Sequence, residues 1–496
     1  MKINEHKGVD KTRRAGVLLH PSSLPGREDN GDIGHQAYRF IEFLSQNNYK
    51  VWQMLPLGST HDDKSPYQCL SSHAGNPALI SLDWLIDKDW LDIAKPNTAK
   101  SETGYRAKCL LEAGKKFYLL SDKYWNKQLD IFVTKHDYWL ADYALFIALK
   151  DKNNKKPWYE WPDDERQYNK PVLNKLREEL QASIKQTIFE QFVFFMQWQE
   201  IRNYAQQHNV ELFGDMPIFV ARDSADVWSR RENFLINHDG EMKFIAGVPP
   251  DAFSDTGQRW GNPLYNWEYM QSNKFDWWKN RFKTQLELFD MIRLDHFRGL
   301  QACWYIPQAD DTAINGEWVE VPGLQLLTEL FSVFEHLPLV AEDLGVITDE
   351  VIALKNKFSL PGMKVLQFAF DGNNENPHLP HSHELNDVVY TGTHDNDTSL
   401  GWALNTENFN MDFFESYAAS LDDNSEKVVL TMMRLAMSSV SFLCVIPMQD
   451  ILMLDSSARM NTPGTLGDNW SWRFEWQQIK PNINLQISQF MALYQR

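Results

Sequence analysis

Cysteine is scarce in this sequence, and the cysteines are scattered without any paired spacing. Cys69, Cys109, Cys303 and Cys444 are four thiols in 496 residues, and none belongs to a Cys-x-x-Cys motif. This usage disfavours a disulfide framework and a zinc site, and it is typical of free thiols in a reducing compartment. We therefore expect a cytoplasmic protein.

Long apolar runs, basic tracts and phosphate-binding motifs are also missing. The first fifteen residues are polar and charged, and no apolar run approaches the length of a membrane span. The 49 basic and 67 acidic residues give a net charge of −18, which disfavours a nucleic-acid partner. No glycine-rich phosphate loop follows a predicted strand. We expect no membrane, no nucleic acid and no cofactor.

A local histidine cluster is the remaining candidate for a metal site. His378, His381 and His383 lie in a loop rich in proline and asparagine. No carboxylate or cysteine pattern completes a ligand set around them. Histidines clustered in this way are more often simply polar residues of a solvent-exposed loop. We expect no bound metal.

The sequence does contain a regular series of short apolar runs separated by helical patterns. The runs are Ala15–His20, Tyr49–Leu55, Val210–Asp215, Phe289–Asp295, Leu337–Glu342, Met363–Phe368, Val388–Thr393 and Ser441–Ile446. Alternation of strands and helices predicts a parallel sheet. Eight such units favour closure into a (β/α)8 TIM barrel rather than an open sheet.

Two gaps between the predicted strands are too long for simple connections. They span residues 59 to about 209 and 217 to about 286, after the second and third strands. Barrels carry their chemistry at the carboxyl ends of the strands, so we interpret both gaps as insertions that wall an active-site cleft. We expect a single catalytic barrel over residues 1–496, without a separate C-terminal domain.

The fourth predicted strand ends in an arginine and an aspartate. Period-two alternation places Met291, Arg293 and Asp295 on one face, and Ile292 and Leu294 on the other. Charge at the end of an apolar strand is costly unless it is paired or used. Taken alone, a structural ion pair is as good an interpretation as a functional one. In a functional site, Arg293 would keep Asp295 ionised and orient it.

Carboxylates also follow two further predicted strands. Glu342 ends the fifth strand, and Asp395 and Asp397 follow the seventh. Glycoside chemistry requires one carboxylate to attack the anomeric carbon and a second, protonated one to release the leaving oxygen. Alternation favours Glu342 over Asp343, but it leaves the choice between Asp395 and Asp397 open. Helix capping and loop salt bridges remain the alternative interpretation.

Motifs along nearly the whole chain resemble those of the amylomaltases, the disproportionating 4-α-glucanotransferases of the α-amylase clan. The matching stretches are His20-Pro-Ser-Ser-Leu-Pro-Gly26, Ser65-Pro-Tyr-Gln68, Ala74-Gly-Asn-Pro77, Gly214-Asp-Met-Pro-Ile-Phe219, Asp223-Ser-Ala-Asp-Val-Trp228, Gly247-Val-Pro-Pro-Asp251, Gly257-Gln-Arg-Trp-Gly-Asn-Pro-Leu-Tyr265, Arg293-Leu-Asp-His-Phe-Arg-Gly299, Ala341-Glu-Asp-Leu-Gly345, Thr391-Gly-Thr-His-Asp-Asn-Asp-Thr398 and Arg459-Met-Asn-Thr-Pro-Gly-Thr465. One departure is Met453, which stands where the family resemblance leads us to expect glycine.

The resemblance implies a role for each of three carboxylates. Asp295 looks like the nucleophile, Glu342 like the general acid/base and Asp395 like the transition-state stabiliser, which favours Asp395 over Asp397. The residues it implies for substrate binding are Tyr67, Asp215, Arg293, His296 and His394 around the attacked sugar, Trp260, Gln258 and Ser65 in the covering loops, and more weakly Asp371 and Asn469.

The expected function is transfer of α-1,4-glucan segments between a maltodextrin donor and a maltodextrin acceptor, with retention of configuration. An α-1,4-glucan hydrolase of the same clan is the alternative enzyme. A non-catalytic glucan-binding barrel is the alternative from another class, and the intact Asp295, Glu342 and Asp395 argue against it.

Overall fold

The computed structural model describes residues 8–26, 30–92, 104–250, 254–405, 409–418, 425–465 and 467–496. Its strands are β1 Arg14–Leu18, β2 Val51–Gln53, β3 Glu211–Met216, β4 Phe244–Val248, β5 Gln258–Pro263, β6 Met291–Leu294, β7 Ala302–Pro307, β8 Glu317–Glu320, β9 Leu339–Ala341, β10 Gly362–Val365, β11 Asp387–Tyr390 and β12 Leu443–Pro447. Its α-helices are α1 His35–Gln46, α2 Leu82–Asp87, α3 Tyr105–Leu120, α4 Lys123–Lys135, α5 Leu140–Lys152, α6 Asp163–Arg166, α7 Lys170–Glu179, α8 Gln181–Gln207, α9 Ala225–Ser229, α10 Trp267–Ser272, α11 Asp276–Leu288, α12 Gly323–Val333, α13 Asp349–Lys357, α14 Ser399–Asn405, α15 Met411–Ala418, α16 Ser425–Ser438, α17 Met448–Ile451 and α18 Pro481–Tyr494.

Eight parallel strands form a nearly closed barrel. Their order is β10-β11-β12-β1-β2-β3-β6-β9, and every ladder between neighbours is parallel. At the seam, the Ala341 amide on β9 donates to the carbonyl of Pro361 beside β10 at 2.8 Å. The predicted (β/α)8 barrel is confirmed, and each of the eight predicted strands is present within a few residues of its expected position.

The barrel strands are buried on both faces, as expected for a parallel sheet covered by helices. On β6, Met291 packs into the lumen cluster together with Val340 and Met363 from other strands. Ile292 and Leu294 point the other way, into the layer between the barrel and its helices. The predicted alternation along the fourth barrel strand is therefore correct, and it places Arg293 in the lumen, where its Nε contacts the Met363 sulfur at 3.4 Å.

The two long insertions leave the barrel after β2 and after β3. The first is helical, from α2 to α8, and α8 returns the chain to β3. The second holds α9, β4, β5 and α10 before α11 returns the chain to β6. Within the described parts of the chain, no helix has the length and apolar character to span a membrane.

A four-stranded antiparallel sheet extends beyond the second insertion in a way that sequence patterns did not indicate. Its order is β5-β4-β7-β8, so β7 and β8, which follow β6, pair with strands from the preceding insertion. The loop after β6 is thus a third extension of the barrel mouth. Its pairing is non-local, which a reading of periodicity within each segment does not detect.

Candidate active site

A network of charged side chains extends from the lumen to the mouth of the barrel. Arg293 donates from Nη1 to Oδ2 of Asp215 at 2.5 Å and pairs through Nη2 with Oδ1 of Asp295 at 2.9 Å. The Tyr67 hydroxyl donates to the same Asp215 oxygen at 2.8 Å. Arg293 and Asp215 are buried, whereas the Asp295 side chain stays 27% exposed. Of the two carboxylates in this network, Asp295 is therefore the one that a substrate can reach.

The two carboxylates next to Arg293 keep its guanidinium charged. Burial alone lowers the pKa of Arg293, but the carboxylates of Asp215 and Asp295 raise it well above its ordinary value. Burial raises the pKa of Asp215, and the Arg293 guanidinium opposes that change. A guanidinium held between two carboxylates restrains the Asp295 side chain through an ion pair.

Glu342 follows β9 directly and lies next to the end of β6. Its Oε2 accepts from the His296 amide at 2.6 Å and its Oε1 from the Leu344 amide at 3.0 Å. His296 is held at a positive φ of 51°, a left-handed conformation that is uncommon outside glycine. Asp343 turns the other way and pairs with Lys355 at 2.6 Å. The structure thus brings Glu342, and not Asp343, to the mouth beside Asp295.

Glu342 differs from Asp295 in its protonation chemistry. Burial raises the pKa of Glu342 to about 7. The neighbouring Asp295 carboxylate adds to this increase, while Arg293 and the two backbone amides oppose it. The side chain is 9% exposed. Near neutral pH, Glu342 can therefore hold a proton and release it.

Asp395 reaches the mouth from the loop after β11. Its Oδ1 accepts from the Asn461 amide nitrogen at 2.6 Å, and its Oδ2 lies 3.3 Å from Nε2 of His394. The side chain is 46% exposed. Asp397 instead accepts from the Ser456 hydroxyl at 2.7 Å and from the Thr398 amide at 2.8 Å, so both of its oxygens hold the loop. This geometry favours Asp395 as the third carboxylate at the mouth.

Aromatic rings wall the space around these carboxylates. Tyr67 stacks on His394, with ring centroids 5.1 Å apart and planes at 13°. Trp470 lies 5.8 Å from the Tyr67 ring, and Trp260 meets His296 edge-on at 4.9 Å. Burial lowers the pKa of His296 to about 4, so this ring is neutral at pH 7.

The remaining predicted binding residues make their hydrogen bonds with other partners than Arg293, Asp215 and Asp295. Gln258 accepts from the Trp260 indole at 3.1 Å, and Ser65 accepts weakly from the Tyr67 amide at 3.4 Å, so both support aromatic walls of the site. Asp371 and Asn469 engage their own loops instead. Asp371 accepts from Asn373 and Asn376, and Asn469 accepts from the Thr462 amide at 3.0 Å.

Three contacts at the site were not predicted from the sequence. Asn461 holds the Asp395 carboxylate, Arg459 donates to the Asp395 carbonyl at 2.6 Å, and Trp470 flanks Tyr67 and His394. Arg459 and Asn461 belong to a motif that carried the family resemblance, which was the available signal. Trp228, the last residue of another matching motif, lies in α9 and is fully buried against Phe146 and Trp161.

The site combines an ion-paired carboxylate, a carboxylic acid with a pKa near neutrality and an exposed third carboxylate. This set suits substitution at an acetal carbon, because one group can attack while another protonates the departing oxygen. Within the described ranges, no group of three or more His, Cys, Asp or Glu side chains is arranged to hold a metal ion.

Known proteins match this chain along almost its whole length. Residues 19–479 match a family model described as 4-alpha-glucanotransferase. The chain is 43% identical to a 4-alpha-glucanotransferase of Synechocystis sp., over 98% of this chain and 99% of that protein. It is 42% identical to one of Thermus thermophilus, over 95% and 97%. Among solved structures, the amylomaltase from Streptococcus agalactiae in complex with acarbose has a TM-score of 0.92 at 34% identity, covering 98% of this chain and 100% of that one.

Proposed function

Since the chain belongs to the 4-alpha-glucanotransferase family and is such an enzyme, we propose that it transfers α-1,4-glucan segments by a retaining double displacement. Asp295 is the nucleophile, Glu342 the general acid and then the general base, and Asp395 the stabiliser of the transition state. The observation that carries this assignment is the contrast between two neighbouring carboxyls: Asp295 is paired with Arg293 at 2.9 Å, while the pKa of Glu342 is raised to about 7.

In the first step, an Asp295 oxygen bonds to the anomeric carbon of the donor while the glycosidic C–O bond breaks. Glu342 gives its proton to the departing 4-oxygen, so the leaving chain departs as an alcohol. In the second step, Glu342 takes a proton from the 4-hydroxyl of the acceptor. That oxygen then displaces Asp295, which leaves as a carboxylate. Two inversions give net retention.

The donor and acceptor are α-1,4-glucan chains such as maltodextrins. Tyr67, Asp215, Arg293, His296 and His394 surround the position of the attacked sugar, and Trp260, Gln258 and Ser65 cover its neighbours. Asp371 and Asn469 remain weaker candidates for outer positions.

Transfer rather than hydrolysis requires a site that favours a sugar over water. The insertions after β2 and β3 wall the cleft in a single catalytic unit, and the described part of the segment 249–263 contributes to its cover. Residues 251–253 of that segment lie outside the described residues. The free thiols of Cys69, Cys303 and Cys444 agree with a reducing compartment such as the cytoplasm.

Incubation with maltotriose tests the reaction. Transfer gives glucose and longer maltodextrins while the number of reducing ends stays constant. Steadily rising reducing ends without longer products would instead identify the α-1,4-glucan hydrolase. To test the covalent step, Glu342→Gln is mixed with an α-maltosyl fluoride, whose leaving group needs no acid. A maltosyl adduct on the peptide that contains Asp295 is expected by mass spectrometry, and its absence would contradict the double displacement.

A further inference from the structure

Asp450 is a buried carboxylate next to the loop that carries Asp395, and the transfer steps do not use it. It belongs to α17, which begins directly after β12, the eighth barrel strand. The residue is 1% exposed, so a bound substrate does not reach it. A buried carboxylate requires hydrogen-bond donors or a cation. The partners of Asp450 therefore indicate what it does.

Asp450 binds both ends of the loop 391–399. Its Oδ2 accepts at 2.6 Å from the hydroxyl of Thr391, the residue directly after β11, which is the seventh barrel strand. The same oxygen accepts from the Ser399 hydroxyl at 2.6 Å, and Oδ1 accepts from the Ser399 amide at 2.7 Å. Thr391 and Ser399 are fully buried. One carboxylate thus joins the two ends of the loop at its base.

The donors around Asp450 suit its ionised form. Burial raises the pKa of Asp450, and the bonds from Ser399 and Thr391 oppose that change. A carboxylate accepts from all three donors at once, whereas an amide at this position has only one oxygen. The three bonds come from the loop itself, so the carboxylate is committed to holding it.

The barrel does not depend on this link to hold its seventh and eighth strands together. β11 and β12 already form a parallel ladder of three residue pairs, the last of which is Tyr390 with Val445. The bonds of Asp450 begin where this ladder ends, because Thr391 follows Tyr390. They therefore act on the loop rather than on the wall of the barrel.

Between its two ends, the loop contains a tight turn. The amide and the hydroxyl of Thr393 donate to Oδ1 of Asn396 at 2.9 and 2.8 Å. His394 and Asp395 lie inside this turn. Their positions at the mouth of the barrel therefore depend on where the two ends of the loop are fixed.

We propose that Asp450 is a positioning residue of the transfer reaction, because it fixes both ends of the loop that brings Asp395 to the mouth of the barrel. It makes no contact with substrate and acts through Asp395. The role of Asp395 rests on the proposed function, whereas the attachment of the loop to Asp450 rests on the contacts alone. A displaced stabiliser weakens binding of the transition state more than binding of the ground-state sugar. Loss of Asp450 therefore lowers kcat and leaves KM nearly unchanged.

A double-mutant cycle tests whether Asp450 acts through Asp395. In the full-length enzyme, Asp450→Asn is expected to lower kcat for fluoride release from α-maltosyl fluoride by about 10- to 100-fold, with KM changed by less than about threefold. In an Asp395→Asn background, the same substitution is expected to lower kcat by less than about twofold, because no stabiliser is left to misplace. A residue that only supports the fold gives the same loss in both backgrounds, and that result would overturn the proposal.

Asp387→Asn is the matched control at the other end of β11. Asp387 is also buried, and it accepts from the Glu384 amide at 2.8 Å. Its substitution is expected to lower the unfolding temperature while kcat stays within about threefold, because the amino ends of barrel strands carry stability. Equal losses of kcat in Asp450→Asn and Asp387→Asn would overturn the proposal as well.

Thr391 provides a milder version of the same cycle if Asp450→Asn does not fold. Thr391→Val removes one donor to Asp450 and is expected to lower kcat by about 5- to 10-fold in the wild-type background alone, the loss of one hydrogen bond. Thr391→Ser keeps the hydroxyl and restores most of that rate. An unchanged rate in Asp395→Asn alone would contradict the proposed role of Asp395 and this proposal with it. Equal losses in both backgrounds would contradict only the role of Asp450.

Discussion

Strand β6 carries an arginine–aspartate ion pair at each end, and the two pairs have the same length. At the amino end, Arg202 Nη2 lies 2.9 Å from Asp290 Oδ1, and at the carboxyl end Arg293 Nη2 lies 2.9 Å from Asp295 Oδ1. The second oxygen of Asp290 accepts from the Leu212 amide at 2.9 Å. Among the described residues, the second oxygen of Asp295 accepts no hydrogen bond.

The difference lies in what each pair leaves unsatisfied. Both oxygens of Asp290 are used, and Arg202 also donates to the carbonyl of Phe289, so this pair ties the start of the strand to its neighbours. Asp295 keeps one oxygen for a substrate, and its arginine is shared with the buried Asp215. The carboxyl ends of barrel strands carry chemistry and the amino ends carry stability, so one ion-pair motif serves both purposes on a single strand.

The largest effect is expected from exchanging Asp295 and Asp290 for their amides. Asp295→Asn removes the attacking oxygen and lowers kcat by about 10⁴-fold or more, as loss of a nucleophile does in other enzymes. Asp290→Asn keeps kcat within about threefold but lowers the free energy of unfolding by about 1–2 kcal/mol, because a charged bond to Arg202 is lost. Maltotriose kinetics and thermal unfolding of both variants measure this. Equal activity losses in the two variants would contradict the proposal that Asp295 acts in the reaction while Asp290 stabilises the fold.

Glu342 is compared with Asp295, because burial raises the pKa of Glu342 to about 7. The first step needs its protonated form, so kcat/KM for maltotriose declines as pH rises through about 7. Glu342→Gln lowers kcat/KM by about 10²- to 10⁴-fold and abolishes this decline.

A fluoride leaving group sharpens the same test. With α-maltosyl fluoride the wild-type enzyme needs no acid, so its alkaline decline disappears. A decline that persists with the fluoride would assign the titration to another group and contradict the role of Glu342.

Arginine-to-lysine exchange at both ends of β6 gives an intermediate effect. Arg293→Lys keeps the charge but cannot contact Asp215 and Asp295 through two separate nitrogens, so Asp295 is less well positioned and kcat falls by about 10- to 100-fold. Arg202→Lys lowers the unfolding temperature and leaves kcat within about threefold. An Arg293→Lys enzyme with wild-type kcat would show that the Arg293 fork does not position Asp295.

The smallest effect is expected at the loop carboxylate. Asp395 is held by Asn461 rather than by a strand, so Asn461→Ala frees its side chain and lowers kcat about tenfold, with KM little changed. Asn484→Ala, which removes a side-chain bond between α18 and Asn47, is the matched control and keeps kcat. If KM rises while kcat stays constant, Asn461 contacts substrate instead of positioning Asp395.

Sequence patterns predicted the barrel and the centre of the site because both depend on local periodicity. The eight apolar runs correspond to the eight barrel strands, and alternation along 291–295 placed Arg293 and Met291 on the lumen face. Alternation also separated Glu342, which faces the mouth, from Asp343, which pairs with Lys355. The residue roles that came from the family resemblance stay predictions until the variants are measured.

Met453 shows what a departure from the expected glycine means in three dimensions. It adopts a positive φ of 55° and is 5% exposed. The backbone therefore keeps the left-handed conformation that glycine favours, while the side chain packs into the core. Methionine therefore occupies a left-handed turn position in this chain.

The sequence by itself determined which residues form the eight barrel strands, which face of β6 is charged and which carboxylates end neighbouring barrel strands, because these follow from a period of two and from chain order. Only the tertiary structure decided that Asp397 is bound to Ser456 while Asp395 remains exposed, that Asn461 holds Asp395 from 66 positions away, and that the hairpin after β6 joins the sheet of the preceding insertion. These contacts join segments distant in sequence, and no local pattern encodes which loop meets which. The two ends of β6 show the same limit of sequence analysis. An aspartate flanks the strand at each end in the sequence, but only the surrounding loops and neighbouring strands decide that one of these two aspartates keeps a free oxygen.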